Sequence, residues 1–343
     1  MSCIQCGVPF SLKDKGYLYI KSAQDLYRYD FWDAGKGWWS FAYVNHRELI
    51  KKIELIEKSE GIGGTLLESP SSLSTSRKLP LLTITLENLL IRLKNQDIIS
   101  IIESGDLISF QQPIIDLEKD DEIFGFESLL RTHGHEQISP GTLFSLAAKA
   151  GMLSLLDQRA REAAIIAKKR FLKPGVKSFI NFLPSTIYNP DFCLRHTFSL
   201  VEKYEIDPAD LVFEVVESEE IKDITHLKKV LNTYKKEGMK VALDDVGAGF
   251  STLDVLKELR PDFLKIDRQY INYCDQDDRK MQFLKVVTQL ANELGITVLA
   301  EGIERLEELE YCKSIGVKLA QGYLIGKPVF EPTYNQPFKV ANY

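Results

Sequence analysis

Eight apolar runs alternating with segments of helical period predict an α/β fold whose strands close into a barrel. Three observations carry that expectation. The first is the alternation itself: strand-like runs at Ile108–Ile115, Gly125–Leu130, Ser178–Leu183, Leu211–Val216, Lys240–Asp245, Phe263–Asp267, Thr297–Gly302 and Leu319–Ile325 are separated by helical stretches. Leu227, Val230, Leu231 and Tyr234 share one face of such a stretch, and Gly238, Gly295 and Gly316 each stand where a helix C-cap belongs. The second is Val241–Leu243, an apolar run that ends in Asp244 and Asp245, passes a glycine-rich turn and enters an amphipathic segment at Thr252–Leu259. That is a βα unit of a parallel sheet. The third is size: about 250 residues of this pattern match a TIM (β/α)8 barrel. One connection departs from it. Only nine residues, mostly charged, separate Ile115 from Gly125, and a parallel crossover needs about a dozen or more. The first strand is therefore expected to be antiparallel and the barrel modified.

Upstream of the barrel, residues 1–60 read as a small α+β module with a sensory or regulatory role. Tyr17–Ile20 and Trp38–Val44 look like strands, Gly35-Lys36-Gly37 like a hairpin turn, and Arg47–Ser59 like a helix capped by Asn45. Trp32, Trp38 and Trp39 crowd one window, as expected of an aromatic-anchored core or, alternatively, of a ligand pocket or partner surface. Cys3 and Cys6 form a C-x-x-C, half of a zinc site. No second pair exists, so zinc there would need His46 or another subunit, and two free thiols are the alternative. Residues 61–80, rich in Gly, Ser and Pro, read as a flexible linker, which leaves 81–343 for the barrel domain. Within it, Glu87–Leu93 and Asp97–Glu103 read as short helices, with Asp97 as an N-cap and Gly105 as a C-cap.

Composition narrows the class. Apolar content of 44% and charged content of 27% suit a globular chain, and the net charge of −6 argues mildly against a nucleic-acid duplex as partner. No apolar run reaches the roughly 18–20 residues of a membrane span. Five cysteines imply no disulfide framework. Together with the lack of an N-terminal apolar leader, these features set the expectation of a cytoplasmic protein.

The strand ends carry the chemistry, because barrels of this kind build active sites at their C-terminal face. Glu127 falls on the second strand, Asn181 on the third, and Glu214 and Glu217 on the fourth. Asp244 and Asp245 end the fifth, Lys265 and Asp267 the sixth, Glu301 and Glu304 flank the end of the seventh, and Gln321 lies on the eighth. Two adjacent carboxylates cannot both ionise cheaply unless a cation lies between them. A cluster of Glu, Asn and Asp oxygens is what Mg²⁺ or Mn²⁺ requires. The competing explanation, an internal salt-bridge network, would need more cations than Lys265 and Arg131 supply on these strands.

Several short motifs, in order, resemble an EAL domain, the cyclic di-GMP phosphodiesterase family. They are Gln112-Pro113-Ile114, Glu127-Ser128-Leu129-Leu130-Arg131, Asn181-Phe182-Leu183-Pro184, Glu214-Val215-Val216-Glu217, Asp244-Asp245-Val246-Gly247-Ala248-Gly249, Leu264-Lys265-Ile266-Asp267, Ala300-Glu301-Gly302-Ile303-Glu304 and Gln321-Gly322-Tyr323. The resemblance implies a modified TIM barrel with an antiparallel first strand, and hydrolysis of cyclic di-GMP to linear pGpG with two divalent cations, Mg²⁺ or Mn²⁺. It implies Glu127, Asn181, Glu214 and Asp244 as ligands of the first ion, with Asp245 and Glu301 near the second. It makes Glu301 the general base, Lys265 the residue that positions the attacking water, and Glu217 the acid that holds the loop after the fifth strand. Gln112, Arg131 and Gln321 match substrate contacts, and Asp267 and Glu304 are assigned to the same group. A homodimer through the barrel is also implied.

Two departures stand out. The signature reads Glu-Ser-Leu rather than Glu-Ala-Leu, and Ser128 should face away from Glu127 on a strand. The loop from Val246 to Thr252 carries Ala248 and Phe250 where the family usually has Thr and Tyr, which bears on rate and on dimer coupling. A phosphodiesterase is expected from the intact set of ligands, base and lysine, and a catalytically silent cyclic di-GMP receptor is the alternative.

Overall fold

The computed structural model describes residues 12–60, 65–76, 82–105, 107–134, 138–215, 223–246 and 253–334, without the side chains of residues 60, 245, 246, 253 and 254. The chain divides into two compact units, Met1–Asp106 with Ile138–Leu156, and Leu107–Gln137 with Asp157–Tyr343.

The first unit holds a five-stranded sheet in the order β2-β3-β1-β4-β5, built from β1 (Gly16–Lys21), β2 (Trp32–Gly35), β3 (Trp38–Tyr43), β4 (Pro70–Ser74) and β5 (Ile84–Thr85). All its pairings are antiparallel. The β2–β3 turn runs through Gly35, Lys36 and Gly37, all at positive φ. Helix α1 (His46–Glu60) starts where Asn45 accepts the Glu48 N–H at 2.9 Å, and lays Leu49, Ile53 and Ile56 on Leu18, Ile20, Phe31 and Phe41. Helices α2 (Leu86–Lys94), α3 (Gln96–Ser104) and α4 (Pro140–Lys149) complete the unit. Arg92, 2% exposed, donates to the carbonyls of Ala150 at 2.9 Å and Gly151 at 3.2 Å.

Three expectations fail here. Part of the supposed linker is a strand: β4 pairs with β1, with Leu73 opposite Leu18. Its serines disguise it, since Ser71 and Ser72 are buried and Ser71 satisfies its hydroxyl on the Ile84 carbonyl at 3.0 Å. The tryptophans do not anchor the core; Trp32 is 46% exposed and Trp39 packs only on the core's margin. Asp97 lies inside α3, whose N-cap position is Asn95, whereas Gly105 does close that helix in the left-handed conformation. Cys3 and Cys6 fall outside the described residues.

The second unit is a closed eight-stranded barrel of β6 (Leu107–Asp116), β7 (Glu122–Thr132), β8 (Lys177–Phe182), β9 (Leu211–Val215), β10 (Lys240–Val246), β11 (Phe263–Ile266), β12 (Thr297–Ala300) and β13 (Leu319–Gln321). The short first connection forces what its length implied: β6 runs antiparallel to both β7 and β13, and the other pairs are parallel. Helices α5 (Leu153–Phe171), α6 (Pro190–Cys193), α7 (Arg195–Lys203), α8 (Ile224–Lys236), α9 (Leu253–Leu259), α10 (Arg268–Ile271), α11 (Asp278–Leu294) and α12 (Leu306–Ser314) fill the connections. Leu227, Val230, Leu231 and Tyr234 are the buried face of α8, as their spacing required.

Several strands stop short of their apolar runs. β13 ends at Gln321 because Gly322 presses on the Ile303 backbone, where a Cβ would lie 2.0 Å from the carbonyl oxygen. β11 ends at Ile266 because Asp267 turns to cap α10, accepting the Gln269 N–H at 2.8 Å. No described helix is long and apolar enough to cross a membrane.

Candidate active site

Strand register alone brings the predicted acids together. Gln112 on β6 stands opposite Glu127 on β7, and Asn181 on β8 stands opposite Glu214 on β9. Between β10 and β11 the pairing slips, from Leu243 opposite Leu264 to Val246 opposite Ile266. Asp244 and Asp245 therefore face the single residue Lys265 across a bulge, a device common beside active sites.

Lys265 is the hub. Its side chain is 1% exposed, and Nζ lies 2.5 Å from Glu214, 2.7 Å from Glu301, 3.1 Å from Asp244 and 3.6 Å from Glu127. Side-chain amides orient the acids. Asn181 Nδ2 donates to Glu127 Oε1 at 3.1 Å, and Gln321 Nε2 donates to Glu127 Oε2 at 2.6 Å and to Gln112 Oε1 at 3.1 Å. Ser128 turns the other way, as strand alternation demands, to Gln111 and Ser178, each at 3.2 Å.

The electrostatics follow from four carboxylates sharing one ammonium. Burial opposes charge on Lys265, but Asp244, Glu127, Glu214 and Glu301 outweigh it and raise its pKa well above the ordinary lysine value. Burial, with repulsion from Glu127 and Asp244, pushes Glu214 far above the carboxylate range despite Lys265. Glu301 is raised for the same reasons, burial first. Glu127 goes down: burial is outweighed by Lys265 and by hydrogen bonds from Gln321 and Asn181. The cluster is thus short of positive charge.

The donor set fits hard divalent cations. Glu127, Asn181, Glu214 and Asp244 offer only oxygen once the Asn181 amide N–H is committed to Glu127. Among the described residues Glu214 Oε1 is buried without a hydrogen-bond partner, an orphan acceptor of the kind that an ion or water explains. Among the described residues no three Asp, Glu, His or Cys side chains are gathered as a ready metal cage; the central position belongs to the Lys265 ammonium.

Other predicted residues stand apart from this cluster. Arg131 is half-buried, donates to the Leu130 carbonyl at 2.7 Å and lies over the Phe110 ring at 5.6 Å. Asp267 caps α10, and Glu304 pairs with Arg268 at 2.8 Å. Glu217 and the side chain of Asp245 lie outside the described residues, as do Ala248 and Phe250. Sequence reasoning missed Glu308, a fully buried acid on α12 that holds the loop after β12. Its signal was present as an acid three residues after the N-cap position Arg305.

The fold is thus a closed α/β barrel with an antiparallel first strand and acids gathered at its strand ends. Residues 94–328 match the EAL domain family, and the chain belongs to it. It is 34% identical over 239 residues to the Escherichia coli K12 protein described as probable cyclic di-GMP phosphodiesterase PdeG, spanning 66% of this chain and 46% of that protein. Against cyclic di-GMP phosphodiesterase PdeF of the same organism the identity is 30% over 231 residues, spanning 66% of this chain and 30% of PdeF. The chain thus covers less than half the length of these relatives. Among solved structures, a standalone versatile EAL protein from Vibrio cholerae O395 in its c-di-GMP-bound form aligns with TM-score 0.61 and 33% identity, covering 69% of this chain and 98% of that one. Klebsiella pneumoniae BlrP1 in a manganese and c-di-GMP complex aligns with TM-score 0.60 and 29% identity, covering 65% of this chain and 56% of that one.

Proposed function

We propose that the barrel hydrolyses cyclic di-GMP to linear pGpG with two divalent cations, Mg²⁺ or Mn²⁺. The observation that carries this reading is the excess of carboxylates over cations at the strand ends, four around Lys265, with Glu127 and Glu214 buried and Asp244 and Glu301 half-buried. Glu127, Asn181, Glu214 and Asp244 would hold the first ion, and Asp244, Asp245 and Glu301 the second. Bound there, the ions would neutralise phosphate charge and acidify a shared water.

The chain's own groups supply the rest. Glu301 accepts the proton of the attacking water, and Lys265 donates to that water and fixes the Glu301 carboxylate at 2.7 Å. Gln112 and Gln321, already bonded to each other, present amides to the substrate. Arg131 binds a phosphate, Asp267 and Glu304 line the nucleotide, and Glu217 holds the loop after β10. On the same reading the protein acts in the cytoplasm as a homodimer through the barrel, and its N-terminal unit regulates it.

The test is incubation of the purified chain with cyclic di-GMP and Mg²⁺ or Mn²⁺, followed by chromatography for pGpG. Tight binding of cyclic di-GMP without any pGpG would replace this reading with that of a silent receptor, for which the altered loop at Ala248 and Phe250 speaks.

A further inference from the structure

Glu308 is a charged side chain with no exposure, placed on the first turn of α12 and outside the acidic cluster. One oxygen, Oε2, accepts the backbone N–H groups of Glu304 at 3.0 Å and Arg305 at 3.1 Å. The carboxylate half of a capping box accounts for the Arg305 bond, and the Glu304 bond extends it by one residue. The other oxygen does something a cap does not: Oε1 accepts the N–H of Tyr273 at 2.9 Å. Tyr273 belongs to a different connection, the one that leaves β11 through α10. It sits at φ 53°, a left-handed conformation unfavourable for tyrosine.

We propose that Glu308 is a positioning residue for the hydrolysis, a strut that ties the exit of β11 to the exit of β12 and so fixes the distance between Lys265 and Glu301. The inference rests on the phosphodiesterase reading of the cluster. Each exit carries one half of the ion pair closed at 2.7 Å. The β12 exit is held along its length: Glu301 N–H bonds the Ile266 carbonyl at 3.1 Å and Ile303 N–H the Gln321 carbonyl at 3.0 Å. Glu308 takes the next two N–H groups. Arg305 reinforces the β11 side, lying over the Tyr273 ring at 4.6 Å and pairing with Asp275 at 2.8 Å. Without the carboxylate, the two connections would be joined by side-chain pairs, Arg305 with Asp275 and Arg268 with Glu304, and no longer through the backbone of Tyr273.

The experiment pairs steady-state kinetics with amide hydrogen exchange on wild type, E308A and E308Q. In E308A, kcat should fall ~10- to 100-fold with little change in KM, the scale on which a small misplacement of a reacting group acts. E308Q keeps the shape and one acceptor oxygen, so it should recover part of that loss, and it serves if E308A does not fold. The amides of Tyr273, Glu304 and Arg305 should exchange faster in E308A, while those of β11 and β12 keep their protection. Wild-type kcat with deprotected amides would overturn the proposal. So would faster exchange throughout the barrel, which marks a merely structural residue. If wild type itself releases no pGpG, the phosphodiesterase reading fails; unchanged exchange at Glu304 and Arg305 would then separately overturn the strut.

Discussion

Replacing Lys265 by methionine tests the centre of the site. The stem keeps roughly its length and volume, so packing is preserved and the ammonium alone is lost. Glu214, Glu301, Asp244 and Glu127, within 2.5–3.6 Å of that ammonium, would then face one another uncompensated. Removing one partner from a buried ion pair costs about 3–5 kcal/mol. Glu214 and Glu301 already have raised pKa values, so protonation relieves part of the strain and about 3 kcal/mol is expected near neutral pH. The sign with pH is fixed. A carboxyl whose folded pKa lies above its unfolded value binds its proton more tightly when folded, so stability falls as pH rises through that window. The gap between K265M and wild type should therefore widen with pH in EDTA. Mn²⁺ or Mg²⁺ should narrow it, because the ions replace the missing positive charge. Denaturant unfolding in EDTA and in Mn²⁺, at several pH values, reads all of this. Equal stability of the two proteins in EDTA, or a gap that Mn²⁺ leaves unchanged, would refute the account of a charge-starved cluster.

Three further outcomes are expected. E301Q should lose pGpG formation by ~10²–10⁴-fold or more while calorimetry still detects cyclic di-GMP binding, and Ca²⁺ should permit binding without turnover, since it takes more ligands at looser distances than Mg²⁺. Asp210 is buried, and hydrogen bonds from Lys168, Gly175 N–H and Lys177 overcome its burial and hold its pKa below the ordinary aspartate value. Its contribution is present above the unfolded value and is lost as pH falls through the folded one, so D210N should destabilise by about 3 kcal/mol at neutral pH and less as acid unfolding is followed below about pH 4. Tyr234 stacks on Phe213 at 4.0 Å, but its buried hydroxyl has no hydrogen-bond partner among the described residues; Y234F should unfold at the same or higher denaturant, by up to about 1 kcal/mol, and a clear loss of stability would reveal a bond to that hydroxyl.

The barrel was legible because its signals are local. Apolar runs, helix-closing glycines and a connection too short for a crossover fix strand type and direction before any packing is known. The acids were legible for a related reason: a carboxylate on a strand interior has no cheap structural role. What the sequence hid depended on partners far along the chain. The serines of β4 look like linker until Ser71 is seen bonded to Ile84, and nothing in Trp32, Trp38 and Trp39 shows that aliphatic residues with Tyr29, Phe31, Phe41 and Tyr43 form the core instead. The role of Lys265 was read only in part. Its position at a strand end was clear, but not that one ammonium would gather four carboxylates, which depends on the slipped register at Asp244 and Asp245.

Helix α4 has a consequence for how such a chain can be rearranged. It lies within the stretch that matches the family, residues 94–328, yet it belongs to the unit built on the upstream strands. Its neighbouring carbonyls at Lys149, Ala150 and Gly151 are bonded by Asn88 and Arg92, which lie before that stretch begins. The segment that is inherited and the segment that folds together therefore have different edges. A graft that joins a foreign input module at residue 94 would cut α2 at its last residue and discard both donors, leaving three carbonyls bare. A graft made near Leu82 keeps both donors but takes from Leu86, Leu89, Leu90 and Leu93 the sheet residues they share a core with, so the upstream strands have to travel with α2.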